Sequence, residues 1–173
     1  LVLEQFSKYN RPFLIANSFS KNFSLYGERV GALTTSVGVG EDKNKAYSHV
    51  KNLIRGFYST PPTYGQAIVS EILSDNSIKN LWVSELGTMR ERILKMRILL
   101  SNLLERLMPE KSFEQMRKQN GMFSYLGLSA EDAYRLRNDH GVYILESGRL
   151  CIAALNEGNI EKVADAISKV ISK

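Results

Sequence analysis

The sequence predicts an α/β chain in two parts, and three patterns predict it: short apolar runs at residues 12–16 and 31–39, helical apolar spacing through residues 42–107, and a return to short strands and helices after Pro109. At 173 residues, 43% of them hydrophobic, there is enough apolar material for a core.

Pro12-Phe13-Leu14-Ile15-Ala16 has the length and composition of a buried strand. Asn17 to Ser20 then lie on the loop leaving its carboxyl end, where open α/β sheets bind ligands. Gly31 to Val39 reads as the next strand. Gly38-Val39-Gly40 is its end and turn rather than a phosphate loop, because it lacks a third glycine and an acid for a ribose. Asp42 to Ile54 is a polar helix with Ala46, Val50, Leu53 and Ile54 on one side, ended by Gly56 and the Pro61-Pro62 pair.

A second helix runs from Tyr64 to Leu73 and breaks at Ser74-Asp75-Asn76. From Ser77, the positions Ile78, Leu81, Trp82, Leu86, Met89, Ile93, Met96, Leu100, Leu103, Leu104 and Leu107 keep helical spacing for about thirty residues, up to Pro109. A coiled-coil strand and a helix joining two domains both fit that length. Gly87 and the uneven apolar face disfavour a sustained heptad seam. Beyond Pro109, Met122 to Leu126 is a short strand, and Ser129-Ala-Glu-Asp132 caps a helix ended by Gly141. Val142 to Leu145 and Leu150 to Leu155 are expected to form two strands across the Glu146-Ser-Gly-Arg149 turn. Asn159 then caps a final helix through Ile171.

Chemistry concentrates in Ser18-Phe-Ser-Lys-Asn-Phe-Ser-Leu-Tyr-Gly-Glu-Arg29, one lysine among hydroxyls and aromatics with an arginine eight positions on. A lysine that forms covalent bonds needs a depressed pKa, which desolvation or a second cation supplies. Phe19, Phe23 and Arg29 are near Lys21 in sequence and fit both needs. A guanidinium suits a phosphate through its planar fork, and the Ser18 and Ser20 hydroxyls add donors to the same oxygens. A Schiff-base lysine beside a phosphate cup is what pyridoxal phosphate requires. On spacing alone, a solvated lysine in a polar loop fits as well.

The segment Ser18 to Gly31 resembles the cofactor-lysine motif of the aspartate and aromatic-amino-acid aminotransferases, which are fold-type I pyridoxal-phosphate enzymes. Arg55-Gly-Phe-Tyr-Ser-Thr-Pro-Pro62, and Ser147-Gly148-Arg149 following Gly141-Val-Tyr-Ile-Leu145, agree in content and order, and the likeness runs from about Pro12 to the C-terminus. Phe23 to Arg29 and Gly121-Met-Phe-Ser-Tyr-Leu-Gly-Leu-Ser129 look closer to the aromatic (tyrosine) branch. Family members run to roughly two domains, at about 100–200 residues each. The chain therefore reads as their C-terminal portion, a fragment or truncated product that is not expected to hold the cofactor alone. By that resemblance, residues 1–76 are the end of the large cofactor-binding domain and its sheet, 77–108 the long interdomain helix, and 109–173 the small α+β domain.

The resemblance also implies roles. Lys21 forms the Schiff base with pyridoxal 5'-phosphate and later moves a proton; Ser18, Ser20 and Arg29 anchor the phosphate. Arg149 clamps the substrate α-carboxylate, Arg55 reaches the partner subunit's site in a homodimer to select a second carboxylate, and Phe123 lines the pocket. The implied reaction moves an amino group from an aromatic or dicarboxylic L-amino acid to a 2-oxo acid such as 2-oxoglutarate. Without the resemblance, Arg149 reads as an exposed turn arginine, Arg55 as a cation on a helix C-terminus and Phe123 as core. A non-catalytic interaction module that kept the fold, or a different pyridoxal-phosphate reaction, would also use these elements.

Other classes fit poorly. The +5 net charge is spread among acidic residues with no basic block, against nucleic acid. His49 and His140 lack ligand spacing, so no metal is expected, and no Gly-x-Ser-x-Gly elbow occurs. The single cysteine, Cys151, sits in an apolar run and reads as core. Neither a signal peptide nor a membrane-spanning apolar run is evident, so a cytoplasmic location is expected.

Overall fold

The computed structural model describes residues 2–9 and 11–171. The chain divides into two compact units, Leu1–Val83 and Ser84–Lys173.

In the first unit a short helix, α1 (Val2–Ser7), precedes β1 (Phe13–Ser18), which pairs antiparallel with β2 (Gly31–Ser36) from Phe13 opposite Ser36 to Ser18 opposite Gly31. A Cβ at Gly31 would collide with the Asn17 carbonyl oxygen, so this register requires glycine there. β1 was expected to be buried and is not: Phe13 and Ile15 are half-buried and Leu14 is 65% exposed. The sheet has only two strands, and a ribbon of that width has too little area to be covered on both faces.

Helix α2 (Lys43–Phe57) starts on Asp42, whose Oδ1 accepts from the Asn44 and Lys45 amides at 2.8 and 3.3 Å. It runs through Gly56 rather than stopping there; the chain leaves it at Tyr58 and turns at Ser59, φ 58°. α3 (Tyr64–Ser74) packs Gly65 so closely on residues 28–30 that an added Cβ would lie 2.9 Å from Glu28 Cβ and 3.1 Å from Val30 Cγ1. Asp75 then caps α4 (Asn76–Leu107), accepting from the Ser77 and Ile78 amides at 2.7 and 3.0 Å. With 32 residues, α4 is about 48 Å long at 1.5 Å per residue. The division between the units falls within it.

The second unit adds α5 (Glu114–Lys118), β3 (Phe123–Tyr125), α6 (Ala130–His140), β4 (Arg149–Cys151), a 3₁₀ turn over Ile152–Ala154 and α7 (Ile160–Ile171). Its core is built where helical spacing predicts: Met96, Leu100, Leu103 and Leu104 of α4 share one buried cluster with Ile160, Val163, Ala164, Ile167 and Val170 of α7 and with Leu136, Leu150 and Ile152. Ser129 and Asp132 form a reciprocal capping box on α6, and Gly141 ends it in the left-handed conformation. By contrast, the first unit has Val69 as its one buried large apolar side chain among the described residues.

The expected hairpin across residues 146–149 does not form. β4 pairs with β3 instead, Phe123 opposite Cys151 and Tyr125 opposite Arg149. Val142 and Ile144 are buried while Tyr143 and Leu145 face out, so that segment has a strand's alternation without a ladder. Beyond β4, the Ile152 amide donates to the Met122 carbonyl at 2.8 Å. Asn159 precedes α7, but its side chain turns back to the Asn156 amide and the Ala154 carbonyl rather than capping the helix.

Candidate active site

Two clusters, one in each unit, hold the residues singled out by sequence other than Arg55. In the first, β1 ends at Ser18, and the Phe19 amide donates to the Val30 carbonyl at 3.1 Å, closing the base of the 19–30 loop. The Ser18 hydroxyl donates to Ser20 Oγ at 3.1 Å and accepts from the Ser20 amide at 3.2 Å. Ser20 is buried, so this pair forms a fixed hydroxyl step at the strand's carboxyl end. The Phe23 amide bonds to the Phe19 carbonyl and the Ser24 amide to the Lys21 carbonyl, a tight turn that projects Lys21 into solvent.

Tyr26 joins the two cations of this loop. Lys21 Nζ stands 5.3 Å from the centre of its ring, and Arg29 Nη1 donates to its carbonyl at 3.1 Å. Ser24 and Arg29 both have positive φ, 55° and 52°, a conformation that side chains other than Gly and Asn adopt at some cost. The structure thus gathers Ser18, Ser20, Lys21 and Arg29 on one loop. The aromatic contacts differ from expectation: Phe19 and Phe23 meet each other edge to face at 5.2 Å, and the ring over the lysine amine is Tyr26.

Sequence reasoning missed the support beneath the turn. Trp82 of α4 stacks on Phe23 at 4.6 Å and 12°, and its Nε1 donates to the Asn22 carbonyl at 2.8 Å. Being 60 residues away, it carries no local signal. Asn22 Oδ1 is buried without a hydrogen-bond partner among the described residues. Arg55 lies exposed in the last turn of α2, where the helix dipole favours a cation, and among the described residues no hydrogen bond joins it to the Lys21 loop.

In the second unit, Gly148 (φ 75°) turns the chain into β4, and Arg149 follows it half-buried. The Arg149 guanidinium carbon lies 4.5 Å above the centre of the Phe123 ring on β3. A guanidinium held over a ring still has N–H donors to offer a carboxylate. One residue here was not foreseen. Arg97 of α4 is 3% exposed and donates from Nε to Ser124 Oγ at 3.2 Å and from Nη2 to the carbonyls of Gly121 and Phe123. Burial pushes its pKa below the ordinary arginine range. In sequence it is one of several α4 cations, and only the apolar neighbours Met96 and Leu100 hint that it faces inward.

Among the described residues no three His, Cys, Asp or Glu side chains gather as metal ligands, and no helix is long and apolar enough to cross a membrane. The connection from β1 to β2 thus carries a hydroxyl pair, a primary amine and a guanidinium.

The chain belongs to the aminotransferase class I and II family, whose profile matches residues 3–167. It is 45% identical over 160 residues to an aromatic-amino-acid aminotransferase of Escherichia coli, covering 92% of this chain and 40% of that protein. Against an aspartate aminotransferase of Pseudomonas aeruginosa the identity is 42%, covering 96% of this chain and 42% of the relative. A solved aromatic-amino-acid aminotransferase of Burkholderia pseudomallei, covalently bound to pyridoxal phosphate, superposes with a TM-score of 0.86 at 43% identity, over 97% of this chain and 42% of its own. The aromatic aminotransferase of Psychrobacter sp. B6, cocrystallised with aspartic acid, gives a TM-score of 0.91 at 36% identity, covering 99% of this chain and 43% of its own. The scaffold is therefore that of the fold-type I aminotransferases, and the chain spans about two fifths of its relatives' length.

Proposed function

We propose that the protein bearing this chain is a pyridoxal-phosphate-dependent aminotransferase that moves an amino group from an aromatic or dicarboxylic L-amino acid to a 2-oxo acid such as 2-oxoglutarate. The observation that carries this reading is the loop itself: a primary amine following a buried hydroxyl step, with a guanidinium tied to the same tyrosine, in a chain of this family.

The donor set fits the cofactor. Ser18 and Ser20 offer hydroxyls at the end of a strand, and Arg29 has guanidinium N–H groups beyond the one given to Tyr26. Together they would hold a phosphate, and the Lys21 amine is the group an aldehyde requires. When bound, pyridoxal phosphate supplies a ring that draws electron density from the substrate α-carbon. Lys21 would hold the cofactor, and its Nζ would take the proton from the substrate α-carbon as general base. Arg149, held over the Phe123 ring, orients the α-carboxylate with two parallel N–H donors. Phe123 thereby forms part of the substrate wall, and Arg55 selects a second carboxylate from across a homodimer. The location that goes with this reading is the cytoplasm.

The test is Lys21→Ala in the protein bearing this chain, assayed with an amino acid and 2-oxoglutarate. Glutamate and the matching keto acid should no longer form. Transamination at ordinary rates would remove the role assigned to Lys21, and products of decarboxylation or elimination from the unaltered protein would remove the reaction.

A further inference from the structure

A buried guanidinium is expensive unless its donors are satisfied, and most buried arginines meet a carboxylate. Arg97 has no carboxylate ion pair among the described residues. All of its polar contacts fall on one short stretch, the Gly121 carbonyl, the Phe123 carbonyl and the buried Ser124 hydroxyl. Those contacts bracket Phe123, whose ring is the platform under Arg149. The β3–β4 pairing is only three residues long, so the strand alone provides little restraint on that ring.

We infer that Arg97 is a positioning residue for Arg149: from α4 it pins the backbone on both sides of Phe123, keeping the ring under the guanidinium that grips the substrate carboxylate. Geometry explains why the residue is an arginine. Its fork directs Nε and Nη2 to separate acceptors at once, Ser124 Oγ on one side and two carbonyls on the other, which a lysine ammonium on a flexible stem does not hold in one plane. Without that pin the Phe123 ring swings, Arg149 loses its platform and its carboxylate geometry loosens. Because Arg97 itself lies out of solvent, its effect reaches substrate only through Phe123 and Arg149. The inference rests on the reading of Arg149 as the carboxylate clamp.

Steady-state kinetics on the protein bearing this chain, loaded with pyridoxal phosphate, separate the possibilities when Arg97→Met, Arg97→Lys, Arg149→Lys and the Arg97→Met/Arg149→Lys double variant are compared, each with its melting temperature. The amino-acid KM should rise about tenfold in Arg97→Met while kcat stays within about twofold, the pattern of lost binding geometry. Arg97→Lys should fall between Arg97→Met and the unaltered protein, and it carries the comparison if Arg97→Met does not fold. On the Arg149→Lys background the Arg97 change should add less than about twofold, since the two act through one contact. An unchanged KM in Arg97→Met beside a raised one in Arg149→Lys, or full multiplication in the double variant, overturns the positioning role. Should Arg149→Lys itself leave KM unchanged, the carboxylate reading fails first and takes this inference with it.

Discussion

Replacing Gly148 with alanine probes the turn that delivers Arg149. Two penalties arise from different features of the structure. The first is conformational: at φ 75° an alanine costs about 1–2 kcal/mol relative to an ordinary backbone conformation. The second is steric, because the new Cβ would lie 2.8 Å from the Leu128 carbonyl oxygen and 3.2 Å from its amide nitrogen. Neither atom can rotate away. Leu128 is 7% exposed and runs directly into the Ser129 capping box of α6, so relief requires backbone movement worth about 1 kcal/mol or more. Gly127 provides the control, with φ 70° and nothing within 4 Å of an added Cβ. Gly→Ala also stiffens the unfolded chain, and that effect cancels between the two variants. Urea unfolding should therefore show Gly148→Ala less stable than Gly127→Ala by about 1 kcal/mol, with a matching rise in amino-acid KM only for the former. Equal destabilisation of the two would refute the steric argument.

Two further outcomes are expected. The Glu105 carboxyl accepts from Arg117 Nη1 at 2.8 Å and from the Phe113 amide at 3.0 Å, and the Arg117 hydrogen bond above all, with the Phe113 amide, holds its pKa below the ordinary range. Its stabilising contribution is therefore complete above the unfolded value near 4.3 and lost as pH falls through the lowered folded value. Glu105→Gln should flatten that part of the melting-temperature profile, and a Gln variant with the same acid limb would remove the assignment. Trp82→Phe preserves the stack on Phe23 but deletes the Nε1 donor to Asn22, at a cost of about 1 kcal/mol in the Lys21 turn. Hydrogen exchange at the Phe23 and Ser24 amides should speed up by about fivefold for that loss, and unchanged rates would mean the bond does not support the turn.

Sequence legibility followed the range of the interactions. Ser129 and Gly141 were readable because a cap lies within a few residues of what it satisfies. The α4 and α7 faces were readable because helical spacing repeats a single physical requirement, and the Lys21 loop because its hydroxyls, amine and guanidinium lie within one short segment, Ser18 to Arg29. What escaped depends on distant partners. Residues 142–145 alternate as a strand does, yet the partner of β4 is β3, with Arg149 opposite Tyr125, and no local pattern specifies it. Trp82 beneath the lysine turn and Arg97 behind Phe123 were hidden for the same reason: each looked like one more residue of a long helix.

The concentration of the apolar core in the second unit carries a practical corollary for handling the chain. Leu14, Leu33, Tyr47, Leu53 and Phe57 of the first unit offer side chains to solvent, whereas Leu100, Leu104, Leu136 and Ile167 are sealed. Limited digestion should consequently nick the leading third first and leave a durable remnant containing α6 and α7, and self-association at high concentration should begin from the leading portion.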